Sequence, residues 1–96
     1  MAEYRLSPAA QRDLEDIFDF TAAEWGLEQA LRYTDLIEAA CAQLAAAPQT
    51  APACDDIRPG YRRRVVQRHT IYFRIEAYGV AVIRILHGSM DASRHL

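Results

Sequence analysis

The stretch from Tyr61 to Asp91 alternates apolar and polar residues through most of its length. A period of two residues is typical of β-strands that bury one face and expose the other. The pattern is interrupted at residues 67–69 and at Tyr78-Gly79, which indicates two tight turns. We therefore predict a three-stranded antiparallel meander, and we place its most apolar strand in the centre of the sheet. The predicted strands are Tyr61–Val66, Thr70–Ala77 and Val80–His87, with Ile71, Phe73 and Ile75 inward and Tyr72, Arg74 and Glu76 outward.

The residues before this sheet have a helical period. Ser7 can cap the free N–H groups of a helix, and Pro8 suits the first helical position. Apolar residues then recur every three or four positions up to Gly26, which should end the helix in a left-handed cap, and again over residues 27–46. The short connection makes the two helices an antiparallel hairpin. Their predicted buried residues are Ala10, Leu14, Ile17, Phe18, Thr21 and Trp25 in the first helix, and Ala30, Tyr33, Thr34, Ile37, Cys41 and Leu44 in the second.

The order of the elements predicts the fold class. A first strand at Glu3–Leu6 precedes the hairpin, a proline-rich connector covers residues 48–60, and Asp91 can cap a short last turn. Strand, helix, helix and three strands indicate an α+β fold of two layers, in which the hairpin covers one face of a single sheet and leaves the other face open. The 96 residues are expected to form a single domain, residues 1–96.

Several function classes are disfavoured by composition. No apolar run approaches the roughly 18 residues of a membrane span, and the N-terminus lacks the pattern of a signal peptide. Two cysteines are too few for a disulfide framework, so free thiols in the cytoplasm are the better interpretation. There is neither a zinc-type Cys/His spacing nor a phosphate-binding glycine loop, so we expect no metal and no cofactor.

The formal charge of −2 conceals a strong polarity. Residues 8–47 contain eight acids and two arginines, a formal charge of −6, whereas residues 57–96 contain eight arginines and two acids, a formal charge of +6. A basic sheet favours an anionic partner, either a phosphate group or an acidic protein segment. The net negative charge disfavours a free-standing nucleic-acid binder.

The candidate site residues are arginines, one histidine and a set of apolar residues on the helices. If the hairpin covers the face of Tyr61, Arg63 and Val65, the opposite face is lined by Arg62, Arg64, Tyr72, Arg74 and Arg84; the alternative is a solvated outer face with weak ion pairs. His87 suits acid–base chemistry, although a structural role at a strand end is also open. Phe20, Leu27, Leu31 and Leu36 flank the buried stripes, where they either widen the core or face a partner.

Several segments resemble ParE toxins of the RelE/ParE superfamily. They are Arg5–Ala10 with Asp13–Ile17, Trp25-Gly26 with Ala30, Ile57–Arg62, Ile71–Arg74 and Arg84–Asp91. The resemblance implies the RelE/ParE-like fold and a toxin of a type II toxin–antitoxin system. It further implies inhibition of DNA gyrase through its A subunit, and neutralisation by a ParD-type antitoxin, a ribbon-helix-helix DNA-binding protein whose flexible tail folds onto the toxin. The toxin would then be part of a hetero-oligomer and reach DNA only through the antitoxin or gyrase.

The RelE branch of the superfamily instead cleaves mRNA on the ribosome. RelE-type nucleases commonly use lysines, whereas this chain has no lysine and a net negative charge. We therefore expect a binding toxin that is not an enzyme. The alternatives are a ribosome-dependent mRNA endoribonuclease using Arg62, Arg84 and His87, and a toxin-like fold that serves only in regulation. For the binding toxin, the expected antitoxin contacts are Phe20, Trp25, Leu27, Leu31, Arg58, Arg62 and Arg64, and the expected target contacts are Arg74, His87, Ser89, Met90 and Arg94.

Overall fold

The computed structural model describes residues 2–96. Its strands are β1 (Glu3–Leu6), β2 (Tyr61–Val66), β3 (His69–Glu76) and β4 (Gly79–His87), and its helices are α1 (Pro8–Trp25), α2 (Leu27–Ala46) and the short α3 (Ala92–His95), with a 3₁₀ turn at Pro48–Thr50. The strands form one sheet in the order β1-β4-β3-β2, in which β1 is parallel to β4 and the other pairs are antiparallel. The predicted α+β architecture, the helical hairpin and the central position of β4 are confirmed.

Local signals set the limits of the two long helices. The Ser7 hydroxyl accepts a hydrogen bond from the Ala10 N–H at 3.0 Å, and it donates one to the Ile83 carbonyl at 2.7 Å. The capping residue therefore also joins α1 to β4. Gly26 alone separates α1 from α2, with φ 95° and ψ 165°. Its φ is positive, as predicted, but its ψ lies far from the left-handed helical value. Gly26 therefore ends α1 in a sharp turn that needs a glycine, and not in the left-handed cap that we predicted.

The main hydrophobic core lies between the hairpin and the sheet. Phe73 and Ile37 are its largest fully buried side chains, and burying each contributes about 1.5–3 kcal/mol. Two residues predicted to be inward are instead exposed. Trp25 is 70% exposed because the last turn of α1 borders an open groove, and Ile75 is 41% exposed because β2 begins opposite Arg74 and leaves Ile75 beyond the end of that strand.

The second face of the sheet is covered around Tyr61, Tyr72 and Leu86, which the sequence analysis did not predict, whereas Val65 and Arg74 remain exposed. A smaller core forms there from Cys54, Tyr61, Tyr72, Leu86 and Ala92. Its cover consists of the connector before β2 and the C-terminal α3. The prediction of an open face was therefore wrong, and so was the outward placement of Tyr72, which is only 7% exposed.

The orientation of β2 is also the reverse of the one considered from the sequence. Tyr61 lies in the smaller core, whereas Val66 lies in the main core under the helices. Because side chains alternate along a strand, Arg62 and Arg64 share the helix-facing side with Val66. None of the helices in the part of the chain described, residues 2–96, is both long enough and apolar enough to cross a membrane.

Candidate protein-binding groove

A groove of about 780 Å³ opens between the hairpin and the end of the sheet where β3 begins and β4 ends. Four elements border it: α1, the first turns of α2, the β2–β3 turn and the end of β4. We call it the hairpin groove. Its lining residues are Asp13, Asp16, Ile17, Phe20, Thr21, Trp25, Gln29, Tyr33, Gln67, Arg68, His69, Ile85, His87 and Met90.

One wall of the hairpin groove is formed by large apolar side chains that have no cover. Phe20 is 66% exposed, Trp25 is 70% exposed and Met90 is 40% exposed. Single exposed apolar residues are ordinary, but several on one concavity mark an interaction surface. Phe20 and Trp25 were predicted to bind the antitoxin and Met90 to bind the target, and the structure brings all three together. Leu27 and Leu31, at 61% and 50% exposure, do not line the groove.

Two histidines and a tyrosine also line the hairpin groove. The Tyr33 hydroxyl lies 2.6 Å from His69 Nδ1, and the His69 and His87 rings lie 5.3 Å apart in an edge-to-face arrangement. Burial and the neighbouring His87 lower the pKa of His69. His87 Nδ1 accepts a hydrogen bond from the Ser89 N–H at 3.2 Å, which leaves the proton of the neutral ring on Nε2.

The sequence analysis did not predict this histidine pair. Only Gln67 and Arg68 form the β2–β3 turn, so β3 begins at His69 instead of Thr70. His69 then stands opposite His87 in the register of β3 and β4. The turn between β3 and β4 and the register shift at Tyr72/Phe73 set this alignment, and our three-residue connection was wrong in leaving His69 outside β3.

Arg84 is committed to an ion pair inside the monomer. Asp13 Oδ2 accepts from Arg84 Nε at 2.7 Å, and Asp13 Oδ1 accepts from Arg84 Nη2 at 2.9 Å. The hydrogen bond to Asp13 raises the pKa of Arg84, so the guanidinium stays charged but is not free to bind a phosphate. The side chains are 20% exposed for Arg84 and 13% for Asp13.

The other candidate arginines lie away from the hairpin groove. Arg58 and Arg62 donate to the carbonyls of Leu96 and Ala51, Arg64 donates to Gln43, Arg74 pairs with Glu76 and Arg94 pairs with Asp91. Val66 is the residue of β2 that pairs with His69. Arg62 lies four residues from Val66, or about 13 Å along the strand. The nuclease set of Arg62, Arg84 and His87 is therefore not brought together.

The hairpin groove offers apolar contact area and hydrogen-bonding rings, but little that could hold an ion. Among residues 2–96, no group of three or more His, Cys, Asp or Glu side chains could coordinate a metal. Its charged lining residues are Asp13, which is already bound to Arg84, together with Asp16 and Arg68. This composition suits a protein segment with an apolar core and a polar border.

Comparison with known proteins identifies the family. The family model described as "ParE toxin of type II toxin-antitoxin system, parDE" matches residues 4–92. This chain belongs to the ParE toxin family. It is 44% identical over 96 residues to Toxin ParE1 of Mycobacterium tuberculosis, a match that covers 99% of this chain and 98% of the relative. It is 38% identical to Toxin ParE1 of Caulobacter vibrioides, covering 100% of this chain and 99% of that relative.

More distant ParE proteins extend the comparison. Toxin ParE of Escherichia coli is 32% identical over 97 residues, covering 100% of this chain and 94% of the relative. A solved structure described as "Chromosomal ParDE TA system from P. aeruginosa" superposes with a TM-score of 0.78 at 21% identity, covering 91% of this chain and 96% of that one. At that identity the superposition supports the fold. The resemblance to ParE toxins stated from the sequence is confirmed.

Proposed function

We propose that this ParE toxin acts in the cytoplasm by binding the A subunit of DNA gyrase, without breaking bonds itself, and that a ParD-type antitoxin neutralises it. The observation that carries the proposal is the hairpin groove, whose exposed apolar residues Phe20, Trp25 and Met90 suit contact with a protein. Family membership supports the toxin role. The separation of Arg62 from Arg84 and His87 supports action by binding.

The hairpin groove also suggests how neutralisation works. Residues predicted for the antitoxin, Phe20 and Trp25, share the groove with residues predicted for the target, His87 and Met90. A flexible antitoxin segment that folds into this groove would cover both sets at once. Antitoxin and target would then compete for one surface, and no change in the toxin's shape would be needed.

One observation favours the ribonuclease alternative. Tyr33, His69 and His87 lie in contact, and histidine is the side chain that most often serves as general acid or base in catalysis. Cleavage of RNA also requires positive charge at the phosphate, and Arg84 is instead bound to Asp13. Arg68 is the arginine that lines the hairpin groove, so this alternative depends on Arg68 and the histidine pair.

Two assays on the purified toxin separate the proposals. Gyrase supercoiling and DNA-cleavage reactions measure target inhibition, and ribosomes carrying a defined message measure RNA cleavage. We expect inhibited supercoiling, accumulated cleaved DNA and intact message. Cut message with normal supercoiling would overturn the proposal.

Single variants test the role of the hairpin groove in antitoxin binding and the role of His87 in RNA cleavage. Trp25→Ala should weaken antitoxin binding at least tenfold, because truncating a central aromatic contact commonly has this effect. Leu36→Ala is the matched control, since Leu36 is 43% exposed but lies outside the hairpin groove. Under our proposal, neither the wild type nor His87→Ala cuts the message. Under the ribonuclease alternative, the wild type cuts it and His87→Ala does not.

A further inference from the structure

Strand β2 forms one edge of the sheet, and only part of that edge is occupied. Tyr61, Arg63 and Val65 direct their backbone groups outward, because the intervening residues bond to β3. The connector satisfies the first of these groups: the Cys54 N–H donates to the Tyr61 carbonyl at 2.9 Å, and the Arg63 N–H donates to the Pro52 carbonyl at 3.1 Å. Beyond that point, the N–H and C=O of Val65 have no partner among residues 2–96.

Beside this open edge the surface is hollow. A hollow of about 390 Å³ lies there, lined by Thr50, Ala51, Pro52, Arg63, Arg64 and Val65. The Val65 side chain on this edge is 67% exposed. Natural sheets normally block such edges, because an open ladder with an apolar side chain accepts another strand.

Charge determines which strand would fit. Neither Arg63 nor Arg64 has a carboxylate within ion-pair distance in residues 2–96, and Arg64 makes only a 2.7 Å hydrogen bond to Gln43. The two side chains point to opposite faces of the sheet, so they flank the open ladder on both sides. A second copy of β2 would bring arginines against arginines, and like charges opposite each other are destabilising. An acidic segment would neutralise both.

We propose that the edge from Arg63 to Val66 binds an extended acidic peptide segment, which adds to the sheet as a fifth strand. An apolar residue of the segment would lie beside Val65, with carboxylates beside Arg63 and Arg64. Given the proposed function, this segment belongs to the antitoxin. The edge leads directly to Gln67 and Arg68 on the rim of the hairpin groove, so one peptide can occupy both sites.

Val65→Pro is the sharpest variant for testing this proposal. It removes the outward N–H of Val65 but no hydrogen bond to β3, and proline is tolerated on edge strands. The matched control, Val65→Thr, keeps the N–H and the branched shape. We expect the antitoxin affinity to fall at least tenfold for Val65→Pro and less than twofold for Val65→Thr, while both variants inhibit gyrase like the wild type. Equal antitoxin affinities for the two variants would overturn the proposal.

A charge reversal tests the acidic character of the segment. Arg64→Glu should weaken antitoxin binding at least tenfold, and the loss should shrink as the salt concentration rises. Arg5→Glu reverses an exposed charge on β1, at the opposite edge of the sheet, and should change the affinity less than twofold. Equal effects of the two reversals would show that only the overall charge matters, which contradicts a site at β2.

Amide hydrogen exchange of the wild-type complex reports on the edge without any substitution. In the free toxin, the Val65 amide should exchange much faster than the Arg64 and Val66 amides, and binding of the antitoxin should slow it at least tenfold. If the complex forms but the Val65 amide still exchanges rapidly, the added strand is refuted and the proposed function is not. Failure of the antitoxin to bind at all refutes the proposed function as well. A wild-type homodimer that Val65→Pro dissociates would assign the edge to a second copy.

Discussion

Asp13→Ala should destabilise this toxin strongly, because Asp13 closes the part of β4 that β1 leaves open. Strand β1 pairs with β4 only as far as Val82. Three residues further along, the Ile85 N–H donates to Asp13 Oδ2 at 2.9 Å, in the place where a neighbouring strand would otherwise accept it. The same carboxylate holds Arg84 through two further hydrogen bonds. The Asp13 side chain therefore supplies the acceptor that a neighbouring strand would give to the Ile85 N–H.

The size of the effect follows from burial. Removing one member of a buried ion pair costs about 3–5 kcal/mol, and the unsatisfied Ile85 N–H is part of that cost. Asp13 and Arg84 retain 13% and 20% exposure, so water partly solvates the stranded guanidinium and we expect a loss of about 3 kcal/mol. Asp13→Asn keeps an oxygen for the Ile85 N–H and should lose about half as much.

Urea unfolding followed by circular dichroism at 222 nm measures this loss. Glu28→Ala is the control, because the Glu28–Arg32 pair is equally short at 2.6 Å but its side chains are 81% and 70% exposed. The control should change the free energy of unfolding by no more than about 0.5 kcal/mol. Adding Arg84→Met to Asp13→Ala should recover part of the loss. A loss for Asp13→Ala within about 1 kcal/mol of the control would refute the reasoning.

Three further predictions concern residues in different parts of the fold. Gly79→Ala should cost about 3 kcal/mol or more in urea unfolding, because Gly79 has φ 142° and an added Cβ would lie 2.0 Å from the Glu3 carbonyl oxygen. The pKa of His69 is lowered from 6.5, so the unfolded chain binds a proton first on acidification; the free energy of unfolding should fall as pH drops below about 6.5, and His69→Gln should flatten this dependence. Burial raises the pKa of Cys41 to about 12, so its thiol should react with a disulfide reagent only after unfolding.

The helices and strands could be predicted well because their signals are local. Ser7-Pro8 and Gly26 mark where α1 begins and ends, and the predicted limits of β1, β2 and α2 match those of the structure. A capping side chain, a preorganised proline and a positive φ act within a few residues. Such signals do not depend on which way a strand faces.

The faces of the sheet could not be predicted in the same way. Tyrosine suits either a buried or an exposed position, so Tyr61 and Tyr72 did not show which side of each strand is covered. A reversed choice on one strand moves all of its side chains to the other face, which is what happened to Arg62 and Arg64. The residues that cover the second face, Cys54 among them, lie in a connector without periodicity, where no pattern indicates burial.

Coverage of both faces restricts where this toxin can meet its partners. The hairpin covers one face of the sheet, and the connector with α3 covers much of the other. The uncovered apolar wall and the unpaired ladder groups therefore lie at the margins, in the hairpin groove and along β2. Basic residues that looked like one surface in the sequence are divided: Arg84 stabilises the fold, whereas Arg63 and Arg64 remain available at the edge. The proposal of an acidic partner therefore places it at an edge, where backbone hydrogen bonding adds to the attraction between charges.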